Sequence, residues 1–377
     1  MSFKNNVVKA RSQIITIAGL IAAFSIAFHL EKVGGLPSAQ DSYSLEITDT
    51  ILKPTSEALN NKERKWAEIA WKYFENNLVE ETGLVNSVDN YQSTTLWDTG
   101  SYLMALIAAY RLELIEKRVF EDRLTRALDA LSKLELFDDV LPNKAYSTLT
   151  LKMTDYNNKS TERGIGWSAI DIGRIFVPFN IIAWHYPEYT STIRNILANW
   201  HFDKMLIKGQ LMGATVNDTS VTEYVQEGRL GYEEYAAKSL TLISLDAQKA
   251  LAYHDYLQFK DIDGIEVPTD TRSPELLKAH NYIVSESFVL FGLEFGWDQV
   301  TSEFAYRVYQ AQENRYNRTG KLTAVSEDHI DCSPYFVYNT VFTDGVAWNC
   351  ITETGDDASE FKTVSTKASF GWHVLYK

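Results

Sequence analysis

Cysteine is the scarcest functional residue in this chain of 377 residues, since only Cys332 and Cys350 are present. Two cysteines cannot build a disulfide framework or a four-cysteine zinc cluster. The segment between them predicts a β-hairpin that turns at Asp344 and Gly345, and this register places Cys350 opposite Asn339, not opposite Cys332. A disulfide is compatible with export of the chain, but the spacing does not suggest one.

The sequence motifs of several large enzyme classes are missing. No P-loop, no glycine-rich dinucleotide fingerprint after a strand and no GxSxG motif occurs. The seven histidines are scattered and give no HExxH zinc motif. DIDGIE at 261–266 lacks the later bidentate glutamate of a calcium loop, so a surface turn is the better interpretation. We therefore expect no cofactor and no resident metal.

Positive charge is also in short supply. Lys and Arg total 36 against 50 Asp and Glu, which gives a net charge of -14. Because such a surface repels phosphates, we do not expect a nucleic acid as a partner. Hydrophobic residues make up 45% of the chain and aromatic residues 13%, which is ample material for a packed core. Composition therefore argues against disorder.

The N-terminal region differs in pattern from the rest. Lys4, Lys9 and Arg11 precede an uncharged, mostly apolar stretch at residues 12–30. This predicts a signal peptide or signal anchor within residues 1–40; we favour an anchor in the membrane, although small residues further on leave cleavage open. The positive flank predicts a body in the periplasm, either anchored to the inner membrane or secreted. Residues 41–59 then form a polar linker, and 60–377 a single domain.

Four segments place a carboxylate beside an aromatic and a small residue where an apolar helix begins or runs. They are LWDTGSYLMALI, GWSAIDIGRIFVPF, GYEEYAAKSLTLI and VSESFVLFGLEFGW, with lead acids Asp98, Asp171, Glu233 and Glu286. Buried helical patterns alternate with amphipathic ones at roughly helical-hairpin spacing. This predicts a mainly all-α fold, an α/α toroid of helical hairpins with a small β-hairpin near the C-terminus. An irregular helical array is the alternative.

Two segments carry the candidate catalytic acids. In GYEEYAAKSL, Glu233 would face the packed side, where burial would raise its pKa and keep it protonated as a general acid; Glu234 is the alternative. In TAVSEDHID, Glu327 and Asp328 are candidates for the base, because crowded carboxylates keep at least one of them ionised. The first pair could instead offset the helix dipole, and the second segment, a predicted loop, could bind calcium or face solvent.

Acids beside aromatic side chains also predict positions that hold a sugar, by hydrogen bonds from hydroxyls and by stacking. For Asp98 the alternative is to cap its own helix. For Asp171 the alternative is a salt bridge with Arg174 or Arg163. The predicted substrate-binding residues are Trp97, Asp98, Trp167, Asp171, Tyr232, Glu286 and Trp348.

Six segments together resemble the bacterial domain-of-unknown-function family 3131 over roughly residues 60–377: GIGWSAIDIGR, GYEEYAAK, ESFVLFGLEFGW, TGKLTAVSEDHID, PYFVYNTVF and STKASFGW. More distantly, the plan resembles glucoamylase-like and β-1,2-glucanase-type glycoside hydrolases, which are α/α toroids and mostly invert configuration. This second resemblance implies an acid and a base at the funnel mouth. By role only, it favours Glu233 or Glu234 as acid and Glu327 or Asp328 as base.

The sequence therefore predicts an exported glycoside hydrolase or transglycosylase that acts on a glucan or related polysaccharide or oligosaccharide. Its mechanism would use two carboxylates and invert configuration. The alternatives are a noncatalytic glycan-binding or envelope-assembly module on the same fold, and a structural partner in a membrane complex.

Overall fold

The computed structural model describes residues 45–48, 57–217, 219–277 and 279–376. The chain divides into two units, Met1–Ile47 and Thr48–Lys377. The predicted signal segment at residues 12–30 lies outside the described residues. Within the described ranges, no helix is both long and apolar enough to cross a membrane.

Helices dominate the second unit, as predicted. In chain order they are α1 (Asn61–Asn76), α2 (Leu96–Arg111), α3 (Lys117–Ser132), α4 (Ala169–His185), α5 (Thr190–Leu197), α6 (Tyr232–Thr241), α7 (Pro274–Leu277), α8 (Ser285–Phe295), α9 (Gln299–Thr319) and α10 (Thr366–Tyr376).

Short antiparallel strands fill the connections, and they are more numerous than the sequence predicted. They are β1 (Ser93–Thr94), β2 (Leu136–Phe137), β3 (Leu141–Pro142), β4 (Ala145–Ser147), β5 (Met153–Thr154), β6 (Leu206–Ile207), β7 (Gln210–Val216), β8 (Thr222–Gln226), β9 (Leu257–Ile262), β10 (Ile265–Asp270), β11 (Glu327–His329), β12 (Phe336–Asn339), β13 (Phe342–Thr343), β14 (Val346–Ala347) and β15 (Cys350–Ile351). The sheets have the orders β1-β4-β5, β2-β3, β6-β7-β8, β9-β10, β11-β12-β15 and β13-β14.

The C-terminal hairpin forms as the sequence predicted. Strands β13 and β14 pair around the turn at Asp344 and Gly345, and Asn339 lies opposite Cys350. Both cysteines are free thiols. The TAVSEDHID segment is not wholly a loop, however, because Glu327–His329 pair with β12 as strand β11. This pairing gives the acids of that segment a fixed orientation.

The apolar helices pack against one another in sequence order. Helix α2 packs on α4, α4 on α6, α6 on α8 and α8 on α10. The amphipathic helices α3 and α9 lie outside this row, where α3 contacts α2 and α5, and α9 contacts α8. The polypeptide between α6 and α7 contributes the β9-β10 hairpin, where the other repeats have an outer helix. The turn of that hairpin, at Asp263 and Gly264, is the surface turn expected for DIDGIE.

Glycine permits the close approach of the inner helices. A Cβ added at Gly173 of α4 would lie 2.5 Å from the Cβ of Ala236 on α6. At Gly100 of α2, an added Cβ would lie 3.2 Å from the Cα of Ile175 on α4. Because both glycines lie in the first half of their helices, they hold the starts of α2, α4 and α6 close together.

The caps determine where these helices begin. The Thr95 hydroxyl accepts from the Asp98 N–H at 3.1 Å, and the Ser168 hydroxyl accepts from the Asp171 N–H at 3.1 Å. The aspartates therefore lie in the first turn, and the expectation that Asp98 caps its helix is wrong because Thr95 does so. In α6 the carboxylate of Glu234 accepts from the backbone N–H of Gly231 at 2.6 Å.

The last described helix returns to the first. Trp66 of α1 packs edge-on against Phe370 of α10 with ring centroids 5.4 Å apart. Nε2 of His373 lies 3.6 Å from Oε1 of Glu63. Helix α1 also contacts α2. The helix contacts therefore run from α2 through α4, α6 and α8 to α10, from α10 to α1, and from α1 to α2.

Candidate active site

The first turns of four helices meet around the indole of Trp97 on α2. Its Nε1 donates to Oε1 of Glu286 on α8 at 3.4 Å, and its ring lies edge-on to Tyr232 of α6 with centroids 5.4 Å apart. Lys367 of α10 forms an ion pair with Glu286 and lies 3.5 Å from Oε1 of Glu327. Glu286 is the second residue of α8.

Glu286 and Glu327 form a buried carboxyl pair with opposite protonation tendencies. Burial alone would raise the pKa of Glu286, but Lys367, the hydrogen bond with Glu327 and the charge of Arg174 together outweigh burial and lower the pKa. Burial and the neighbouring Glu286 raise the pKa of Glu327 well above its usual value. The protonated carboxyl of Glu327 therefore donates a hydrogen bond to the ionised Glu286. One side chain is held as an acid and the other as a base.

Asp328 follows in the same strand and points into a different environment. Its Oδ1 accepts from the Ser365 hydroxyl at 2.9 Å, while its buried Oδ2 has no hydrogen-bond partner among the described residues. Burial raises the pKa of Asp328 to about 6. Near neutral pH this carboxyl can change its protonation state.

A second carboxyl pair consists of Asp171 at the start of α4 and Glu227 just after β8. Oε2 of Glu227 accepts from the backbone N–H of Ala169 at 2.6 Å. Burial, then the charges of Glu227 and Asp98, raise the pKa of Asp171 to about 8. Burial also raises the pKa of Glu227. Asp171 is only partly buried, so a carboxyl that is protonated at neutral pH remains accessible.

Tyr156 connects the surroundings of the two pairs. Partial desolvation, followed by Asp171, Glu353 and Glu227, raises its pKa well above the usual value, although the side chain is 44% exposed. Tyr338 has a raised pKa through burial, Tyr282 and Glu327, with smaller effects from Tyr156 and Glu353. The two carboxyl pairs therefore belong to one electrostatic environment.

Asp98 is ionised and held by three partners. Its Oδ2 accepts from the hydroxyls of Ser87 at 2.6 Å and Thr95 at 2.8 Å, and its Oδ1 lies 3.1 Å from Nε2 of His329. Burial would raise the pKa of Asp98, but His329 and these hydrogen bonds hold it well below the usual range. Asp98 thus orients His329 at the edge of the site.

Partly exposed aromatic rings surround these acids. Tyr282 and Tyr338 stack with centroids 3.7 Å apart, and Tyr91 and Tyr335 stack at 4.9 Å. Phe336 packs edge-on to Tyr338 at 5.1 Å. Faces of this kind hold the apolar side of a sugar ring, whereas carboxylates accept hydrogen bonds from its hydroxyls.

The family model described as Protein of unknown function (DUF3131) matches residues 65–377. The chain belongs to the DUF3131 family. This confirms the family resemblance found in the sequence. No curated protein matches the chain significantly.

Solved structures with the same fold come from carbohydrate enzymes and their relatives. The endo-β-1,2-glucanase of Chitinophaga pinensis, in complex with sophorotriose and glucose, has a TM-score of 0.50 at 12% identity, over 79% of this chain and 76% of the glucanase. A protein of Bacteroides uniformis provisionally named glucoamylase has a TM-score of 0.51 at 9% identity, over 76% and 74%. One of Bacteroides fragilis, also provisionally named glucoamylase, scores 0.50 at 11% identity, over 77% and 76%. At such identities the similarity establishes a helical, glycoside-hydrolase-like fold.

In the DUF3131 chain, the acid predicted in α6 has an internal partner. Oε2 of Glu233 lies 2.6 Å from Nη1 of Arg272, and its Oε1 accepts from Gln226 at 3.1 Å. Arg272 also pairs with Asp270 at 2.6 Å. Burial raises the pKa of Glu233 to about 7 against the effect of Arg272. The geometry gives Glu233 a buried ion-pair role and does not support its assignment as general acid.

Glu234 does not reach the site either, because its carboxylate closes the capping box of α6 at Gly231. Burial, then Glu233, raises its pKa to about 8. The buried position of Glu234 at the start of α6, next to Glu233, explains its raised pKa.

Two of the predicted tryptophans lie apart from the acids. Trp167 is 1% exposed and donates from Nε1 to the Met212 carbonyl at 3.0 Å, so its ring has no free face for a sugar. Trp348 donates from Nε1 to Oδ2 of Asp263 at 2.9 Å and packs under Arg315 at 4.2 Å. Trp348 thus belongs to the contact between the C-terminal hairpin and the β9-β10 turn.

The arginines proposed as partners of Asp171 pair with other acids. Arg174 is buried against Glu294 at 2.7 Å, and Arg163 binds Asp138 at 2.7 Å. Neither arginine therefore forms a salt bridge that would lower the raised pKa of Asp171. Across the described ranges, no group of three or more histidine, cysteine, aspartate or glutamate side chains could hold a metal ion.

Sequence reasoning missed Lys367, Glu227 and Tyr156. Lys367 carried a usable signal, since a lysine in the first turn of a helix opposes the helix dipole and suggests an acidic partner nearby. Glu227 follows a strand, and Tyr156 lies on an irregular turn between β5 and α4. Neither position has a period or motif that distinguishes it in the sequence.

Proposed function

We propose that the DUF3131 protein is a glycoside hydrolase or transglycosylase that acts on a glucan or a related polysaccharide or oligosaccharide. The observation that carries this proposal is that Asp171 and Glu286, whose pKa values are shifted in opposite directions, lie in the first turns of inner helices near partly exposed aromatic rings. Pairs of carboxyl groups with divergent pKa values are what acid-base cleavage of a glycosidic bond requires. The fold shared with a β-1,2-glucanase supports the same class.

Asp171 serves as the general acid in this proposal. Its pKa of about 8 keeps it protonated at neutral pH, and its side chain is partly exposed. It would donate its proton to the glycosidic oxygen as the bond to the anomeric carbon breaks. Asp171 thereby replaces Glu233 in the role that the sequence suggested, because Glu233 is committed to Arg272.

The Glu286–Glu327 pair supplies the base. Glu286 is the ionised member and takes a proton from the water that attacks the anomeric carbon on the face opposite the leaving oxygen. Inversion by this route requires roughly 6.5–9.5 Å between acid and base. Proton exchange with solvent then restores both groups. If a sugar hydroxyl replaces the water, the same residues perform a transglycosylation.

The predicted toroid is part of the same proposal. We infer that α1, α2, α4, α6, α8 and α10 close into a ring of inner helices, and the contact between Trp66 and Phe370 supports this closure. In such a ring the first turns of the inner helices lie at one mouth. Trp97, Tyr232 and Asp98 would then bind the sugar beside the acids.

Export of the enzyme remains a proposal based on residues 1–40. We propose that the body lies in the periplasm, held at the inner membrane through residues 12–30 or secreted after cleavage. Fractionation of cells with an antibody against the body tests this. Recovery of the body in the cytoplasmic fraction would contradict it.

Product analysis by mass spectrometry tests the proposed activity. Wild-type protein, Asp171→Asn and Glu233→Gln are each incubated with linear and cyclic glucans of different linkages. We expect new oligosaccharides from wild type and Glu233→Gln, and a loss of at least about 100-fold for Asp171→Asn, because removal of a general acid has effects of this size. Equal rates for wild type and Asp171→Asn would remove Asp171 from the mechanism.

The noncatalytic glycan-binding module is the second candidate, because Glu286 and Glu327 are both largely buried. It predicts that every glucan stays intact with wild-type protein while glucan binding is still measurable by calorimetry. Intact glucans without binding would count against both candidates.

A further inference from the structure

An apolar groove runs between α8 and α10 and begins at the candidate active site. Its volume is about 280 Å³. Glu286 and Lys367 lie at one end. Apolar residues form the walls. They are Val289, Leu290 and Leu293 on α8, and Phe370, Gly371 and Val374 on α10. Each row follows the three-to-four-residue spacing of one helix face, and two turns of helix give the groove a length of about 10 Å.

The groove is open although its walls are hydrophobic. Leu293 is 46% exposed, Phe370 38% and Val374 48%. Gly371 makes the floor, since a Cβ there would lie 2.2 Å from Cγ1 of Val289, so the two helices touch below the opening. A row of exposed apolar side chains that meets a charged pair at one end indicates a site for an amphiphilic ligand.

We propose that this groove binds the alkyl chain of a sugar-linked lipid, with the sugar at the Glu286–Lys367 end. This rests on the proposed function, because it places the sugar of the lipid beside Glu286, the proposed base of the same enzyme. The chemistry of the walls favours an alkyl occupant: they offer no side-chain hydrogen-bond donor or acceptor, so an extended peptide or a second sugar would leave polar groups unpaired. An alkyl chain loses only its contact with water.

The position of the charged pair supports the same orientation. Glu286 accepts from Trp97, and Lys367 balances Glu286, so polar contacts are concentrated where the sugar hydroxyls would lie. Beyond the first helical turn the contacts become apolar. A ligand with a polar head and a hydrocarbon tail matches this division along the groove.

Calorimetric titration with methyl, hexyl, octyl and decyl β-glucosides, below their micelle concentrations, tests the inference on the full chain. We expect Kd to fall about twofold to fourfold for each added methylene between hexyl and decyl, as expected for methylenes that leave water. Leu293→Asp and Val374→Asp should each abolish this dependence. Val221→Asp, at an exposed valine on the turn between β7 and β8, is the matched control and should retain it.

Other outcomes overturn the inference. A Kd independent of chain length in wild type, or a dependence that survives both aspartate variants, would rule out the alkyl site. If the aspartate variants fail to fold, Val374→Trp fills the groove and should weaken decyl binding while methyl binding is unchanged; equal decyl binding would contradict the site. A dimer that dissociates in Val374→Asp, with alkyl binding unchanged, would assign the groove to a contact between copies.

Failure of this inference is distinct from failure of the proposed function. Glucan cleavage without a chain-length effect removes only the groove assignment. A chain-length effect without cleavage of any glucan leaves an alkyl-binding groove but removes the enzyme.

Discussion

At the residue scale, the Asp171 carboxyl combines its proposed role as general acid with a cost in stability. Its pKa is about 8 in the folded protein against 3.8 for an ordinary aspartate, because the carboxyl is desolvated in its partly buried position and lies near Glu227 and Asp98. Stability from a raised carboxyl pKa is fully present below the unfolded value and is lost as pH rises toward 8. At neutral and alkaline pH, the raised pKa of this proposed proton donor therefore lowers the free energy of unfolding.

The variant Asp171→Asn separates these two effects. Because asparagine does not titrate, we expect its Tm to exceed that of wild type by a few degrees at pH 8, and to approach the wild-type value below about pH 4. For the wild-type enzyme, kcat/KM should decline as pH rises through about 8, since the acid then loses its proton. Calorimetry across pH and a pH-rate profile measure both. A Tm that falls at pH 8 would assign Asp171 a structural role instead.

At the element scale, the contact between α4 and α6 determines how closely their first turns approach. Gly173→Ala would place a methyl 2.5 Å from the Cβ of Ala236. Overpacking of this kind costs about 1–3 kcal/mol of unfolding free energy. Turnover should fall as well, because Asp171 and Tyr232 begin these two helices.

A compensating substitution provides the control for this helix contact. Ala236→Gly removes the opposing methyl but leaves the Cα of residue 236 at 2.7 Å from the added Cβ, so the double variant should recover part of the stability lost in Gly173→Ala. Urea unfolding of the four proteins measures the coupling. Additive losses would show that the helices adjust elsewhere, and that this contact does not set their spacing.

Particular elements show what the sequence could and could not predict. The helices α2, α4 and α8 were predictable because their apolar residues are local signals, and α2 and α4 also carry capping hydroxyls. The register of Cys350 opposite Asn339 was predictable from the turn at Asp344. The choice of ion-pair partner was not predictable. Glu233 pairs with Arg272, and Lys367 pairs with Glu286, across separations in sequence that no helical or strand periodicity reveals. The site assignments therefore changed where long-range ion pairs decide which acid is available.

At the scale of the whole second unit, the contact between α1 and α10 is the test of ring closure. Trp66→Ala removes the ring that packs on Phe370 and should lower the unfolding free energy by about 1–3 kcal/mol, since Trp66 is only partly buried. Unfolding should remain a single transition, and turnover should fall because α10 carries Lys367. Trp184→Ala, at an exposed tryptophan on α4, is the matched control with little expected effect.

The opposite result would be equally informative. Two resolved transitions in denaturant, or full turnover in Trp66→Ala with lowered stability, would show that the helices form an open row and that the α1–α10 contact is incidental to the site.

The site takes Trp97 from the second helix and Lys367 from the last described helix, with Tyr232 and Glu286 between them. A chain in which α10 has not yet docked holds the aspartates and aromatic rings but has no Lys367 to keep Glu286 ionised. Cutting activity would then appear only after the final helix has docked. If the proposed glycan cleavage takes place here, docking of the last described helix acts as an assembly checkpoint that keeps incompletely folded copies inactive.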